Sequence, residues 1–137
     1  MNKPIPTNVH GVLDYLSVSA LLTLPRVLKW NKNVTNLTTG IALGTLGASL
    51  MTRYELGLFK IIPMTGHLTL DATNGVMLAA SPFVLLSKWE RNATVTSILI
   101  GLGAFEIAAA LLTQTQPSMK YRTAESVDRL RDLVTSK

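Results

Sequence analysis

The sequence predicts an all-α integral membrane protein: four spans forming two tandem helical-hairpin repeats in one bundle, then an amphipathic C-terminal helix. Three observations predict it. Charged residues make up 15% of the 137, against about 25% in an ordinary soluble domain, while hydrophobic residues reach 47% and the mean hydropathy is +0.31. The few charges are clustered: residues 33–52 and 72–87 carry none, and only Glu106 is charged within 92–119. Finally, the first half of the chain is echoed in the second.

Four charge-poor stretches of about 20 residues, the length that crosses a bilayer, occupy residues 10–30, 34–52, 67–87 and 94–113. A soluble helix needs a polar outer face, and these have none; hiding them all inside so short a chain is opposed by surface-to-volume scaling. Basic residues stand at their ends: Arg26, Lys29 and Lys32, then Arg53, then Lys88 and Arg91, then Lys120 and Arg122. Trp30 and Trp89 fall at two of those ends, where amphipathic rings anchor at the membrane interface. The N-terminus has no small-residue cleavage site after its first apolar run, so the first span is expected to be retained.

The echo defines the repeat. His10-Gly-Val-Leu-Asp14 and His67-Leu-Thr-Leu-Asp71 match at a shift of 57, as do Pro25 and Pro82. Lys29-Trp30-Asn31-Lys32-Asn33 matches Lys88-Trp89-Glu90-Arg91-Asn92 at 59, and Leu50-Met51-Thr52 matches Leu111-Leu112-Thr113 at 61. Repeat one covers about 10–52 and repeat two about 67–113, within a membrane domain of 1–116; 117–137 form the tail. Two spans return the chain to its starting side, so both repeats enter in the same orientation, related by an axis along the membrane normal. Gly40 and Gly44, Ser97 and Gly101, and Ala104 and Ala108 have the spacing that lets helices approach closely in lipid. Each proline, late in its span, removes a backbone hydrogen bond, and the Ser81 hydroxyl is placed to serve the freed carbonyl.

Two spans per unit of about 50 residues, with Ser81-Pro82-Phe83 late in one first span and Pro25 alone in the other, resemble the SPW repeat family of bacterial and archaeal membrane proteins. The resemblance implies a multi-pass protein of the bacterial or archaeal cytoplasmic (inner) membrane, with no established activity and no catalytic residues. The charged tail favours cytoplasmic termini.

Ionisable residues inside spans are costly and mark function by default. Asp14 and Asp71 lie four residues into their spans, about 6 Å along the axis, and Glu106 lies about 10 Å from the end of its own. His10, Asp14 and Ser17 form one helical stripe, and His67, Asp71 and Asn74 form its counterpart. His10, Asp14, His67, Asp71 and Glu106 are therefore expected to converge in one half of the bundle. Four readings compete: hydrogen bonds that merely hold the fold, a divalent metal site of imidazole and carboxylate, a haem held by His10 and His67, and a proton or ion relay through Asp71, Glu106 and Asn74. The apolar connector 53–64 lies on the same face, so Tyr54 and Glu55 are secondary candidates.

The absence of cysteine excludes a thiol enzyme, a thiolate metal site and a disulfide framework. No P-loop, dinucleotide fingerprint or nucleophile elbow occurs. The net charge of +5 suits anionic lipid, and dispersed basic residues without an aromatic platform argue against nucleic acid. Residues 121–134 read as an amphipathic helix, with Ala124, Val127, Leu130 and Val134 in one stripe and Glu125–Arg129 as an i,i+4 pair. The composition thus points to a non-enzymatic membrane module, an accessory subunit of a larger membrane complex or a homo-oligomer. Its alternative is a small metal-, haem- or proton-handling protein built on the His/Asp/Glu cluster.

Overall fold

The computed structural model describes residues 3–90 and 92–135. They form five helices: α1 (Thr7–Val27), α2 (Lys32–Met51), α3 (Met64–Val84), α4 (Ala93–Leu112) and α5 (Met119–Thr135). Helices α1 and α2 make one hairpin and α3 and α4 another, and the hairpins pack side by side. No strand occurs among the described residues.

The ends of the helices follow from the residues that cap them. Helices α1 and α3 begin and end three residues earlier than expected. Pro6 and Pro63 occupy the two N-cap positions, at φ −67° in both, where a missing N–H costs nothing. Pro25 and Pro82 sit in the last turns, and each helix stops two residues later. Pro82 has no N–H to offer the Leu78 carbonyl four residues back, and Ser81 Oγ donates to that carbonyl at 2.8 Å. Asn31 and Asn92 cap α2 and α4, each side chain accepting from a first-turn N–H, of Asn33 and Val95 respectively. Both of these helices end on an extended threonine, Thr52 and Thr113.

Beyond those threonines the hairpins clasp each other. Ile5 N–H donates to Leu112 O and Gln114 N–H to Ile5 O; likewise Ile62 N–H donates to Met51 O and Arg53 N–H to Ile62 O. The residue before each hairpin thus pairs with the end of the other. At the opposite end the two turns meet, where Asn33 Nδ2 donates to Glu90 Oε1. Arg91, expected among the basic residues here, lies outside the described residues.

The core changes character along its length. Toward the turns it is apolar, built from Val18, Leu21, Val34, Ile41, Leu78, Val95 and Leu99. Toward the clasped end it is polar: His10, Asp14, Ser17, Thr45, Ser49, His67, Asp71 and Glu106 are all buried. The outer surface is the reverse, exposing Val12, Leu16, Leu43, Val76, Phe83 and Leu111. One described helix, α4, is long and apolar enough to cross a membrane by length and composition alone. The serine, threonine, asparagine, histidine and aspartate of α1–α3 dilute their apolar character.

Gly40, Gly44, Ser97, Gly101, Ala104 and Ala108 face outward. The close approach lies at Gly75 and Gly103, where a Cβ on Gly75 would come within 2.7 Å of Gly103 O. Trp30 and Trp89 differ. Trp89 is 97% exposed. Trp30 turns back against the apolar core, because Lys29, at φ 52°, reverses the chain just before it.

Candidate functional site

His10 and Asp14 share one face of α1, and His67 and Asp71 share the corresponding face of α3. The two faces meet in the polar half of the core. The two imidazoles present their Nε2 atoms to the same pair of carboxylates. His10 Nε2 lies 3.0 Å from Asp71 Oδ2 and 3.3 Å from Asp14 Oδ1. His67 Nε2 lies 2.9 Å from Asp14 Oδ2 and 3.1 Å from Asp71 Oδ2. One donor atom from each residue falls within 4.8 Å of every other.

These lengths have a second meaning. Ligands about 2.0–2.1 Å from a tetrahedral zinc stand about 3.3–3.4 Å from one another. The four nitrogen–oxygen contacts, 2.9–3.3 Å, engage both oxygens of Asp14, and one donor atom from each residue lies within 4.8 Å of the others, close enough for the four residues to converge on one small cation. The geometry suits a hydrogen-bonded cluster equally well only if protons occupy the centre.

The surrounding groups constrain where those protons are. Thr113 Oγ1 lies 2.6 Å from Ala109 O. A carbonyl only accepts, so the hydroxyl proton is committed there, and Thr113 Oγ1 is left to accept from His10 Nδ1–H at 2.8 Å. With Nδ1 carrying hydrogen, the Nε2 lone pair of a neutral His10 faces the two carboxyl groups, free to meet a metal ion or a proton held between them. A histidine whose far nitrogen donates to a fixed acceptor is also the usual arrangement of a metal ligand.

Asp14 is held from a third direction by Ser49 Oγ, which donates to Oδ2 at 2.9 Å. Asp71 uses only Oδ2, and its Oδ1 has no hydrogen-bond partner among the described residues. Tyr54, fully buried, stacks on His67 with ring centroids 5.9 Å apart and planes at 23°. It can lie so close because position 11 is glycine: a Cβ there would meet the Tyr54 ring and sit 2.8 Å from its hydroxyl oxygen. Burial, and then the charge of Asp14, hold the Tyr54 phenol above its ordinary range.

Glu106 comes to the edge of this cluster. Its carboxylate is buried, with neither oxygen hydrogen-bonded among the described residues. It lines a cavity of about 10 Å³ together with His10, Asp14, Ser17, Thr45, Asp71 and Phe105. Asn74 lies on the other side of the core, where its Nδ2 donates to Thr45 Oγ1 at 3.3 Å. Glu55 stands apart from the cluster. It accepts from Thr7 Oγ1 at 2.6 Å and from Ser118 N–H at 2.9 Å, tying the connector to the root of the tail. Burial works to raise its pKa, and these hydrogen bonds outweigh it, so the carboxyl sits below its ordinary value. Ser81, Pro82, Phe83 and Pro25 belong to the far ends of α1 and α3 and take no part.

The haem reading has no room. The two rings stand edge to face with centroids 5.4 Å apart, and both carboxylates lie against their Nε2 atoms where a macrocycle would pass. Sequence reasoning missed Thr113 and Ser49, which orient His10 and Asp14. The shift of 61 that relates Thr52 to Thr113 was a usable signal for the first.

No protein-family model, curated protein or solved structure matches this chain.

Proposed function

We propose that the chain is a four-span integral membrane protein whose bundle binds one divalent first-row metal ion through His10, Asp14, His67 and Asp71. The observation that carries the metal reading is the four-edged contact of two Nε2 atoms with two carboxylates, each edge 2.9–3.3 Å. Imidazole and carboxylate together suit zinc, iron or manganese, and bundle interiors are where such ions are held. The Thr113 bond supports it by placing hydrogen on the outer nitrogen of His10.

The membrane reading rests on the inverted polarity of the bundle. Its ionisable groups are buried while large apolar side chains cover the outside, the arrangement that lipid favours. Only 33% of the apolar window of α4 is buried, which supports contact with lipid over burial in a protein core. The connector adds Leu58, Phe59 and Ile61, all exposed and apolar, which suits a loop dipping into the interface. Four spans in two hairpin repeats place both interhelical turns on one side of the membrane and the metal near the other, with the termini cytoplasmic. The family resemblance carried by Ser81-Pro82-Phe83 belongs to the same reading.

Metal analysis of the protein purified from membranes in mild detergent tests the site. About one zinc, iron or manganese per chain is expected, lost in a His10→Ala/His67→Ala double variant. A protein that retains none, and binds none after equilibration with each ion, overturns it. Because the chain has no cysteine, single cysteines at Lys29 and Lys88 test the topology. Both are expected to react with an impermeant reagent from the same side, and reaction from opposite sides overturns the two-hairpin arrangement.

The outward small residues favour a second reading, as an accessory module. Gly40, Gly44 and Gly101 have no side-chain neighbour within 4 Å, so another membrane helix can pack closely there. Co-purification of a stoichiometric membrane partner, weakened by Gly44→Leu, is the corresponding test.

A further inference from the structure

We propose that the metal centre is open on its α1–α4 side, where the cavity bounded by Ser17, Phe105 and Glu106 holds one exchangeable ligand the size of a water molecule or a diatomic. This rests on the metal reading above and adds to it that the site is built for a ligand from outside the chain.

Three observations converge on the cavity. Its volume of about 10 Å³ is close to that of one water-sized sphere. Its wall includes three of the four candidate ligands, His10, Asp14 and Asp71, so anything inside it touches the metal's coordination sphere. It is also where hydrogen-bonding capacity is left over: Asp71 Oδ1 and both oxygens of Glu106 lack partners, with Asp71 only 4% and Glu106 only 6% exposed. A buried acceptor with nothing to accept is costly. A ligand with hydrogens to donate, held between Glu106 and the ion, satisfies it.

The repeat-related positions show that this space is specific. Asn74 stands 57 residues after Ser17, and Glu106 stands 61 after Thr45. Asn74 reaches Thr45 with a direct hydrogen bond, whereas the shorter Ser17 leaves a gap that it lines together with Thr45 and Glu106. Four protein ligands in a tetrahedron close a structural zinc site, whereas iron(II) held by two histidines and carboxylate keeps positions open to a further ligand. Here the free direction is toward α4. Leu13, Phe105 and Ala109 complete the wall, and Phe105 is itself exposed on the outer surface. A small uncharged ligand dissolved in lipid therefore has a short path past a single ring.

Nitric oxide tests this directly, because it binds an open position on non-haem iron(II) and gives a paramagnetic adduct. The full-length protein in detergent is loaded anaerobically with iron(II), its iron content measured, and nitric oxide added. The expected result is a high-spin iron–nitrosyl resonance from most of the bound iron. Ser17→Leu, which fills the cavity from α1, is expected to reduce that resonance at least tenfold at unchanged iron content. Ala109→Leu fills it from α4 and serves the same purpose if the first variant does not accumulate. Stoichiometric iron with no nitrosyl signal, or a signal indifferent to both substitutions in folded protein, overturns the open position and leaves the metal reading standing. Failure to bind iron, zinc or manganese at all removes the metal reading itself.

Discussion

Hairpin one and hairpin two are built to the same measurements and furnished differently. Helices α1 and α3 are each 21 residues and α2 and α4 each 20. Proline precedes the first helix of each, and asparagine caps the second. Each contributes one histidine and one aspartate at the same depth. What the hairpins share supplies the four donor atoms; what distinguishes them supplies everything around those atoms. Ser49 braces Asp14, while Ala110 occupies the corresponding place near Asp71. Thr113 orients His10, while Thr52 bonds only the backbone of its own helix. Tyr54 shields His67, and Thr115 stands at the matching position. Glu106 takes the place of Thr45. A symmetric frame thus carries an asymmetric site, with its braced carboxylate on one side and its open wall on the other.

The largest expected effect breaks what the hairpins share. Asp14→Ala and Asp71→Ala each remove a donor, and each is expected to lower metal affinity by more than about a hundredfold, since even the loss of an outer-shell partner costs about 10–100-fold. Competition with a chromophoric chelator measures it, and a variant that binds as tightly as the parent removes that residue from the site. The next effect sharpens the difference. Thr113→Val takes away the acceptor of His10 Nδ1 and is expected to cost about 10–100-fold in affinity, whereas Thr52→Val leaves affinity unchanged. Equal effects from the two would mean that the threonines serve only their helix ends.

Packing gives a third contrast. Gly103 lies so close to the Gly75 carbonyl that Gly103→Ala forces α3 and α4 apart, at about 1–3 kcal/mol. Gly101→Ala adds a methyl to open space and is expected to be neutral or stabilising by up to about 1 kcal/mol. Thermal unfolding in detergent should rank parent and variants in that order. The smallest effect concerns the clasp. Because its hydrogen bonds hold Glu55 below the ordinary carboxylate range, the stability they add is present above the unfolded pKa, near 4.5, and is lost as pH falls through the folded value. Hydrogen exchange at Ser118 should therefore accelerate on acidification below about pH 4.5 beyond the intrinsic pH dependence. Glu55→Gln should remove that extra acceleration.

The parts of the molecule that the sequence made legible are those governed by periodicity. Histidine and aspartate four residues apart, repeated 57 residues later, placed two polar stripes on two helices, and the two stripes meet in the interior. The helix ends were displaced by three residues because Pro6 and Pro63 act as start signals stronger than the apolar pattern. Small-residue spacing does not tell an outer face from a seam: Gly40 and Gly44 lie outside, whereas Gly75 and Gly103, 28 residues apart, form the close approach within the chain. Tyr54 depends on a coincidence of the same kind, a ring from the connector meeting the missing Cβ of Gly11. Such pairings are made by the folded arrangement and leave no local trace.

The reciprocal clasp at Ile5 and Ile62 bears on how the protein is made. Ile5 precedes hairpin one in the chain, and its partners, Leu112 and Gln114, close hairpin two. Hairpin one, made first, therefore has His10 and Asp14 without their partners from α3, with Ser49 as the brace that Asp14 already has within its own hairpin. Arrival of hairpin two delivers the remaining donors, the Thr113 hydroxyl and the second half of the clasp within one event. Closure of the bundle therefore completes the His/Asp cluster and the clasp together, and hairpin one alone leaves the carboxylate of Asp14 without its histidine from α3.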